Sequence, residues 1–311
     1  NFSDRINCFV GDNGVGKTNL MDAIHYLALA KSYFNAVDSQ NIMHEKDFAV
    51  IQGDFIRDNH TEVIYCSIQR NKRKKLKRNK KDYEKLSEHI GLIPLVMISP
   101  ADSSIIIEGG DERRKFINSV IAQFDRNYLE NLIQYNHALV QRNKLLKEIN
   151  NSETFDRDYL SVWDEQLIAF GQKIFDIRKD FIEKLLPVFA KFYRNISGEK
   201  EEVELIYESQ LFEKDMRTLL NESLRKDMIL QYTTTGVHKD DLDMKLGGYP
   251  LKKNGSQGQQ KTFVVALKLA KFDFIKSICK MNPILLLDDV FDKFDHNRVE
   301  QIIRLVAENN F

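Results

Sequence analysis

Hydrophobic and polar positions along the chain fall into three regimes. Up to about residue 110 the apolar runs are short and separated by polar turns. Ile6–Val10 reads as a strand, and Lys17–Lys31 as the helix that follows a glycine-rich loop. Residues 48–56 and 62–70 read as two strands joined by a polar turn at Asp58–Asn59. Residues 94–99 read as a short buried strand ended by Pro100. From Asp111 the spacing turns helical. Between Phe155 and Tyr193, the residues Leu167, Phe170, Ile174, Ile177, Phe181, Leu185, Val188 and Phe192 follow at steps of three and four. They form one stripe on a long helix that packs on its neighbours. After Ser197–Gly198 the strands return at 202–209, in a hairpin over 241–253 around Gly247–Gly248, and in the buried apolar strand 283–289. No internal repeat is visible. The pattern predicts an α/β domain in two parts, 1–110 and 201–311, with a helical domain inserted at 111–200.

Composition adds bounds. The 311 residues suffice for one large or two ordinary domains, and 42% hydrophobic content supplies a core. Formal charge is zero, but nine of the twelve residues in Arg70–Lys81 are basic, so the remainder carries −9. Cys8, Cys66 and Cys279 follow no metal spacing, which suggests free thiols in a reducing compartment. No apolar run is long enough to span a membrane, and no signal peptide is visible. The chain opens at Asn1, almost inside its first motif, and both ends read as cut.

The chemistry starts at Gly11–Asn19, "GDNGVGKTN", with the spacing G-x-x-x-x-G-K-T. Gly11, Gly14 and Gly16 would let successive amides curl around an anion, and the following helix adds its positive end. Lys17 would reach the β- and γ-phosphates of ATP, and the Thr18 hydroxyl would hold Mg²⁺. A P-loop needs an acidic partner. The strand "ILLL" delivers Asp288 to the mouth of the sheet, where it would hold the cation. Asp289 would point elsewhere by strand alternation and position or deprotonate the attacking water. A third element is Asn254–Ala270, "NGSQGQQKTFVVALKLA". Ser256 is a natural N-cap, and Phe263, Leu267, Ala270 and Phe274 form the helix's apolar face. Its free amides are a second anion site, which a dimer would use to cover the γ-phosphate held by the other copy. The segment resembles the signature loop of an ABC-type ATPase head.

The order P-loop, helical insertion, S-Q-G-Q-Q and L-L-L-D-D-V-F-D resembles the RecF family of recombination mediators, ABC-type P-loop ATPase heads with an inserted helical domain. Residues 97–118 look like the family's S-P-x-D segment and R-R-x-F helix, and 141–147 and 236–242 like two further family segments. The resemblance covers essentially the whole chain. It implies a cytoplasmic bacterial protein that binds ATP, forms an ATP-dependent homodimer and has a slow, DNA-stimulated ATPase. It also implies binding to double-stranded and gapped DNA, and action with RecR and RecO in loading RecA onto gaps coated by single-strand-binding protein. By the same resemblance Lys17 and Thr18 match the Walker A residues, and Asp288 and Asp289 the Walker B pair. The nucleotide would be held by Gly11, Asp12, Asn13, Gly14, Val15, Gly16, Lys17, Thr18 and Asn19. Ser256, Gln257 and Gly258 match the signature acting in trans, and Asp292 and Asp295 fall in the loop that crosses the dimer interface. The family's first strands and its last strand with a sensor residue are not in this sequence. Where Asp292–Lys293 stands, the family has a short residue and then an acid.

The basic run interrupts a sheet region, as a third strand or a mobile hairpin. Lys72, Arg73, Lys74, Lys75, Lys77 and Arg78 are candidate DNA contacts, with a solvated hairpin as the plain alternative. Only Tyr65 and Tyr83 flank the run, so contacts would be to phosphates rather than stacked bases. The next candidate surface is Arg113, Arg114 and Lys115. Three other functions are weaker. A chromosome-organising SMC-like head needs a long coiled coil, a small-molecule kinase needs an acceptor pocket and lid, and a transporter engine carries a different signature.

Overall fold

The computed structural model describes residues 2–3, 5–149, 158–198, 201–292 and 294–308. Asn1, Phe155, Lys293 and Phe311 lie outside these. The first elements are α1 (Lys17–Leu29), β1 (Phe48–Arg57), β2 (His60–Gln69), β3 (Lys75–Arg78), β4 (Lys81–Asp82) and β5 (Leu95–Ile98). Next come α2 (Ser104–Ile107), α3 (Gly110–Ile121), α4 (Arg126–Ile149), α5 (Asp158–Ser197), β6 (Val203–Glu208), α6 (Met216–Leu230) and β7 (Asp241–Leu246). β8 (Tyr249–Pro250), α7 (Leu251–Asn254), α8 (Gln257–Cys279), β9 (Ile284–Leu287) and α9 (His296–Glu308) follow. They build two compact units, Asn1–Ala101 with Pro283–Val290, and Asp102–Asn282 with Phe291–Phe311.

In the first unit β1 and β2 pair antiparallel over their full length. Asp58 and Asn59 between them take φ of 50° and 61°, a two-residue hairpin whose twist matches the strands. Alternate residues Ile64, Cys66 and Ile68 of β2 turn inward and meet Leu27, Leu76 and Leu92 in the core. The basic run forms β3 and β4, so it is both a third strand and a hairpin. A separate two-stranded sheet pairs β5 with β9 in parallel, Leu95 opposite Ile284 and Ile98 opposite Leu287.

Two expectations fail here. Ile6–Val10 is not a strand. It has no ladder partner among the described residues, and Ile6 and Val10 are 62% and 95% exposed. Apolar residues make a strand only where an edge pairs with them. β9 is half-buried rather than fully buried, with only Leu286 inside, because among the described residues β5 alone borders it.

In the second unit the 40-residue helix α5 buries Leu167, Ile174, Phe181, Leu185 and Phe192 of the predicted stripe and leaves Phe170, Ile177 and Val188 half-buried. It packs on α8 through Phe181 against Phe274 (5.0 Å between ring centres) and Phe189 against Phe263 (4.6 Å). The predicted apolar face of α8 is buried, and so are Val264, Val265, Ala266 and Leu269 around it. β6, β7 and β8 form a three-stranded antiparallel sheet. The hairpin ends at Pro250, which has no amide for the ladder. The chain then makes the α7 turn instead of running on as strand to Lys253.

The periodicity does not mark two buried arginines. Arg142 is fully buried and pairs with Asp164 at 2.6 Å and Asp227 at 2.7 Å. Arg178, 2% exposed, pairs with Asp240 at 2.8 Å and donates to the Val237 carbonyl at 2.7 Å. The segments 141–147 and 236–242 thus supply parts of two polar networks tying α4, α5 and the stretch before β7 together. Truncating one member of such a pair strands a buried charge, at about 3–5 kcal/mol.

Two histidines in these interiors are held neutral. His89 Nε2 lies 2.6 Å from the Leu27 carbonyl and Nδ1 3.0 Å from the Tyr83 hydroxyl, and burial pushes its pKa down. His238 donates from Nε2 to the Thr233 carbonyl at 3.0 Å and accepts at Nδ1 from the Tyr135 hydroxyl at 2.8 Å. Burial pushes it down to about 4. A folded pKa below the unfolded value of about 6.5 means that the unfolded chain binds the proton first. The stabilisation is complete above about pH 6.5 and is lost as pH falls towards 4. Urea unfolding at pH 7.5 and pH 4.5 should show a loss that includes on the order of 3 kcal/mol from His238. The slope should flatten in His238→Gln. An equal slope in that variant would show that His238 is not responsible.

Candidate functional site

The loop before α1 is built by backbone conformation. Gly14 and Gly16 take φ of 85° and 95°, and an added Cβ at either would meet nothing within 4 Å. Their requirement is the left-handed region rather than space. Gly11 is not in that region, so the curl rests on two of the three glycines. Gly16 is the N-cap of α1 without a side-chain cap, and no acid lies in the first turn. The helix therefore presents open amides and an uncompensated positive end. Asp12, Asn13, Val15 and Asn19 are exposed around it. Lys17 does not extend outward. Its Nζ donates to the carbonyls of Gly11 at 2.7 Å and Asp12 at 2.8 Å, because the curled loop turns those oxygens inward.

β9 brings the acid. Asp288 follows its last residue, and the Asp288 amide donates to the Ile98 carbonyl at 2.9 Å. The Thr18 hydroxyl donates to Asp288 Oδ1 at 3.2 Å across 270 residues of sequence. Burial pushes the Asp288 carboxyl above its ordinary value. Asp289 pushes the same way, while the Thr18 hydroxyl and Lys17 ammonium pull it back. Strand alternation does not place Asp289. The strand ends at Leu287, and Asp289 is an exposed residue in the left-handed region at φ 47°.

In the second unit Ser256 caps α8, accepting from the Gln259 amide at 3.2 Å, while the Gln259 side chain accepts from the Ser256 amide at 2.8 Å. This capping box uses two amides counted as free in the sequence reading and leaves those of Gln257 and Gly258 at the turn. Asp295 accepts from the Arg298 amide at 3.0 Å at the start of α9. The Asp292 carbonyl accepts from Lys261 Nζ. Sequence reasoning missed Arg298. Its Nη1 donates to Thr262 Oγ1 at 3.1 Å and lies 2.9 Å from where a Gly258 Cβ would stand. The signal was the absent side chain at Gly258, which leaves room for a guanidinium against the signature turn.

The basic run divides. Lys74 Nζ donates to the Ala30 carbonyl at 2.6 Å and pairs with Asp38 at 3.0 Å, itself held by the Tyr26 hydroxyl. Arg78 makes a bidentate pair with the buried Glu62, at 2.5 and 2.7 Å. Lys77 lies 3.6 Å from Asp82. Lys72, Arg73 and Lys75 are exposed. The fallback residues are all paired, Arg113 with Asp241 at 2.6 Å, Arg114 with Asp111 and Lys115 with Glu112 at 2.5 Å. Cys8, Cys66 and Cys279 form no disulfide, and among the described residues no helix is long and apolar enough to cross a membrane.

With this geometry in hand, comparison with known proteins is specific. Residues 1–310 match the family model for the RecF/RecN/SMC N-terminal domain. The DNA replication and repair protein RecF of Flavobacterium johnsoniae is 52% identical over 310 residues, which are 100% of this chain and 86% of that protein. The RecF of Bacteroides fragilis is 52% identical over 312 residues, 100% of this chain and 84% of its own length. A structure of the recombination mediator protein RecF with ATP, in the RecFOR pathway, superposes with a TM-score of 0.88 at 31% identity, covering 94% of this chain and 81% of that one. An Smc head domain from Pyrococcus furiosus shares the fold at a TM-score of 0.52 and 17% identity, covering 96% of this chain and 79% of its own. The chain belongs to the RecF family of ABC-type ATPases, whose matched relatives are DNA replication and repair proteins.

Proposed function

We propose that this chain is an ATP-dependent recombination mediator. It binds ATP with Mg²⁺, pairs with a second copy across the nucleotide, and holds double-stranded and gapped DNA by its phosphates. With RecR and RecO it helps load RecA in the cytoplasm. The observation that carries this reading is the Thr18–Asp288 contact at 3.2 Å beside an uncapped helix start. A matched relative bound to ATP, in the RecFOR pathway, supports it.

A hydroxyl and a carboxylate suit Mg²⁺, which takes one or two protein oxygens, phosphate oxygens and water. Thr18 and Asp288 would hold the cation, and bound there it would neutralise phosphate charge. The amides of α1 hold the phosphates, and the Lys17 ammonium exchanges two carbonyls for the β/γ oxygens. Asp289, exposed just past the strand, orients the water and takes its proton. Ser256, Gln257 and Gly258 of the second copy cover the γ-phosphate, with Asp292 and Asp295 at the crossing. Hydrolysis then separates the copies and releases the DNA. In this scheme 1–110 and 201–311 are the ATPase parts and 111–200 the helical lobe.

Asp289→Asn should bind ATP as before but hydrolyse it about a hundredfold more slowly or worse. Its dimers should persist longer on DNA. Dimers that dissociate at the wild-type rate while hydrolysis is blocked would rule out hydrolysis as the step that separates the copies.

The two classes of basic residue should also separate. Changing Lys72, Arg73 and Lys75 to Gln should flatten the plot of log DNA affinity against log salt by about 2.7, roughly 0.9 per lost phosphate contact. Lys74→Met should lower stability and leave that slope unchanged. The reverse assignment would place the DNA contact at the anchored residues.

A further inference from the structure

A cavity of about 240 Å³ opens in the second unit among α3, α4, α5 and the Val237–His238 turn. Arg114, Lys115, Asn118, Asn136 and Arg178 line its polar side together with the carboxylate of Asp111, and Leu132 and Tyr135 its apolar side. We infer that this cavity is a second phosphate site, which takes a phosphate monoester such as a DNA 5′ end or a free mononucleotide.

The floor is preorganised. Arg178 is fixed by the Tyr128 hydroxyl at 3.0 Å, Asn118 Oδ1 at 3.0 Å, the Val237 carbonyl and Asp240. Two glycines shape the walls. A Cβ on Gly110 would lie 2.7 Å from Arg114 Nη1, and one on Gly236 2.6 Å from the Tyr135 hydroxyl oxygen. The Arg114 guanidinium, whose side chain is 16% exposed, donates from Nη1 to the Asp240 carbonyl at 2.5 Å. Its Nη2 meets the carboxylate of Asp111, a side chain 83% exposed.

An anion therefore already sits on Arg114, supplied by a residue held mainly by that one contact. A phosphate monoester brings nearly twice the charge and three acceptor oxygens, so it should displace Asp111. Lys115, 71% exposed at the rim, is paired with Glu112 at 2.5 Å and would supply a second cation when that exposed pair opens. The volume equals roughly eight water molecules, enough for a phosphate with its sugar. Leu132 and Tyr135 give that sugar or its base an apolar wall.

The test uses the full chain carrying Lys17→Ala, which silences the P-loop, with far-UV circular dichroism as the folding control. Binding is measured by fluorescence anisotropy for a short single-stranded oligonucleotide with a 5′-phosphate or a 5′-hydroxyl, and dAMP is added as competitor. The phosphorylated end should bind more tightly. Asp111→Ala should strengthen that preference about tenfold, and Lys115→Glu should weaken it about tenfold, each a change of about 1.4 kcal/mol. The hydroxyl end should respond to neither. Competition by dAMP would identify a free mononucleotide as a ligand, and its failure would identify the strand end; either supports a monoester site. No 5′-phosphate preference together with no dAMP binding would overturn the proposal. So would a preference that neither substitution moves.

Discussion

Four residues of β5 lie in parallel register with four of β9, and the candidate nucleotide site depends on that pairing. Thr18 and Asp288 are 270 residues apart, yet their side chains meet at 3.2 Å because β9 ends where it does. The register leaves little latitude. A slip of one residue would move Asp288 by about 3.3 Å along the strand and turn it to the other face. The buried side chains of β5 resist such a slip, since all four are inside. The Asp288 amide, bonded to the Ile98 carbonyl, carries the ladder one residue past the strand and aims the carboxylate.

The electrostatics around that pairing are unfinished in a consistent direction. α1 starts without a cap or an acid, Lys17 rests on two carbonyls, and burial raises the Asp288 carboxyl. A polyphosphate with a divalent cation offers a partner to each. The start of α8 differs, because its capping box already satisfies two amides and Arg298 stands against Gly258. The first terminus is open to a ligand, whereas the second keeps only the Gln257 and Gly258 amides for one.

Much of this was legible in the sequence, and the failures have common causes. The β1–β2 hairpin, the α5 stripe, the Ser256 cap and the β9 acid all rest on short-range rules: turn chemistry, periodicity and capping. Ile6–Val10 failed as a strand because pairing is a tertiary property. Alternation could not place Asp289, because it stops where the strand stops. The basic run looked uniform, yet Lys74 and Arg78 are committed to Asp38 and Glu62, partners distant in sequence. Arg142 and Arg178 lie buried in a helical block where nothing in the spacing marks their carboxylate partners.

The central claim is that ATP joins two copies by placing one copy's signature turn over the phosphate bound at the other's P-loop. Light scattering of the full chain with and without ATP and Mg²⁺ tests it most directly, using Ser256→Arg as the comparison. The account predicts a monomer without ATP and a dimer with it. Ser256→Arg should stay monomeric while each copy still binds ATP with unchanged affinity. A dimer of Ser256→Arg with ATP, or a loss of ATP affinity in its monomer, would contradict the account.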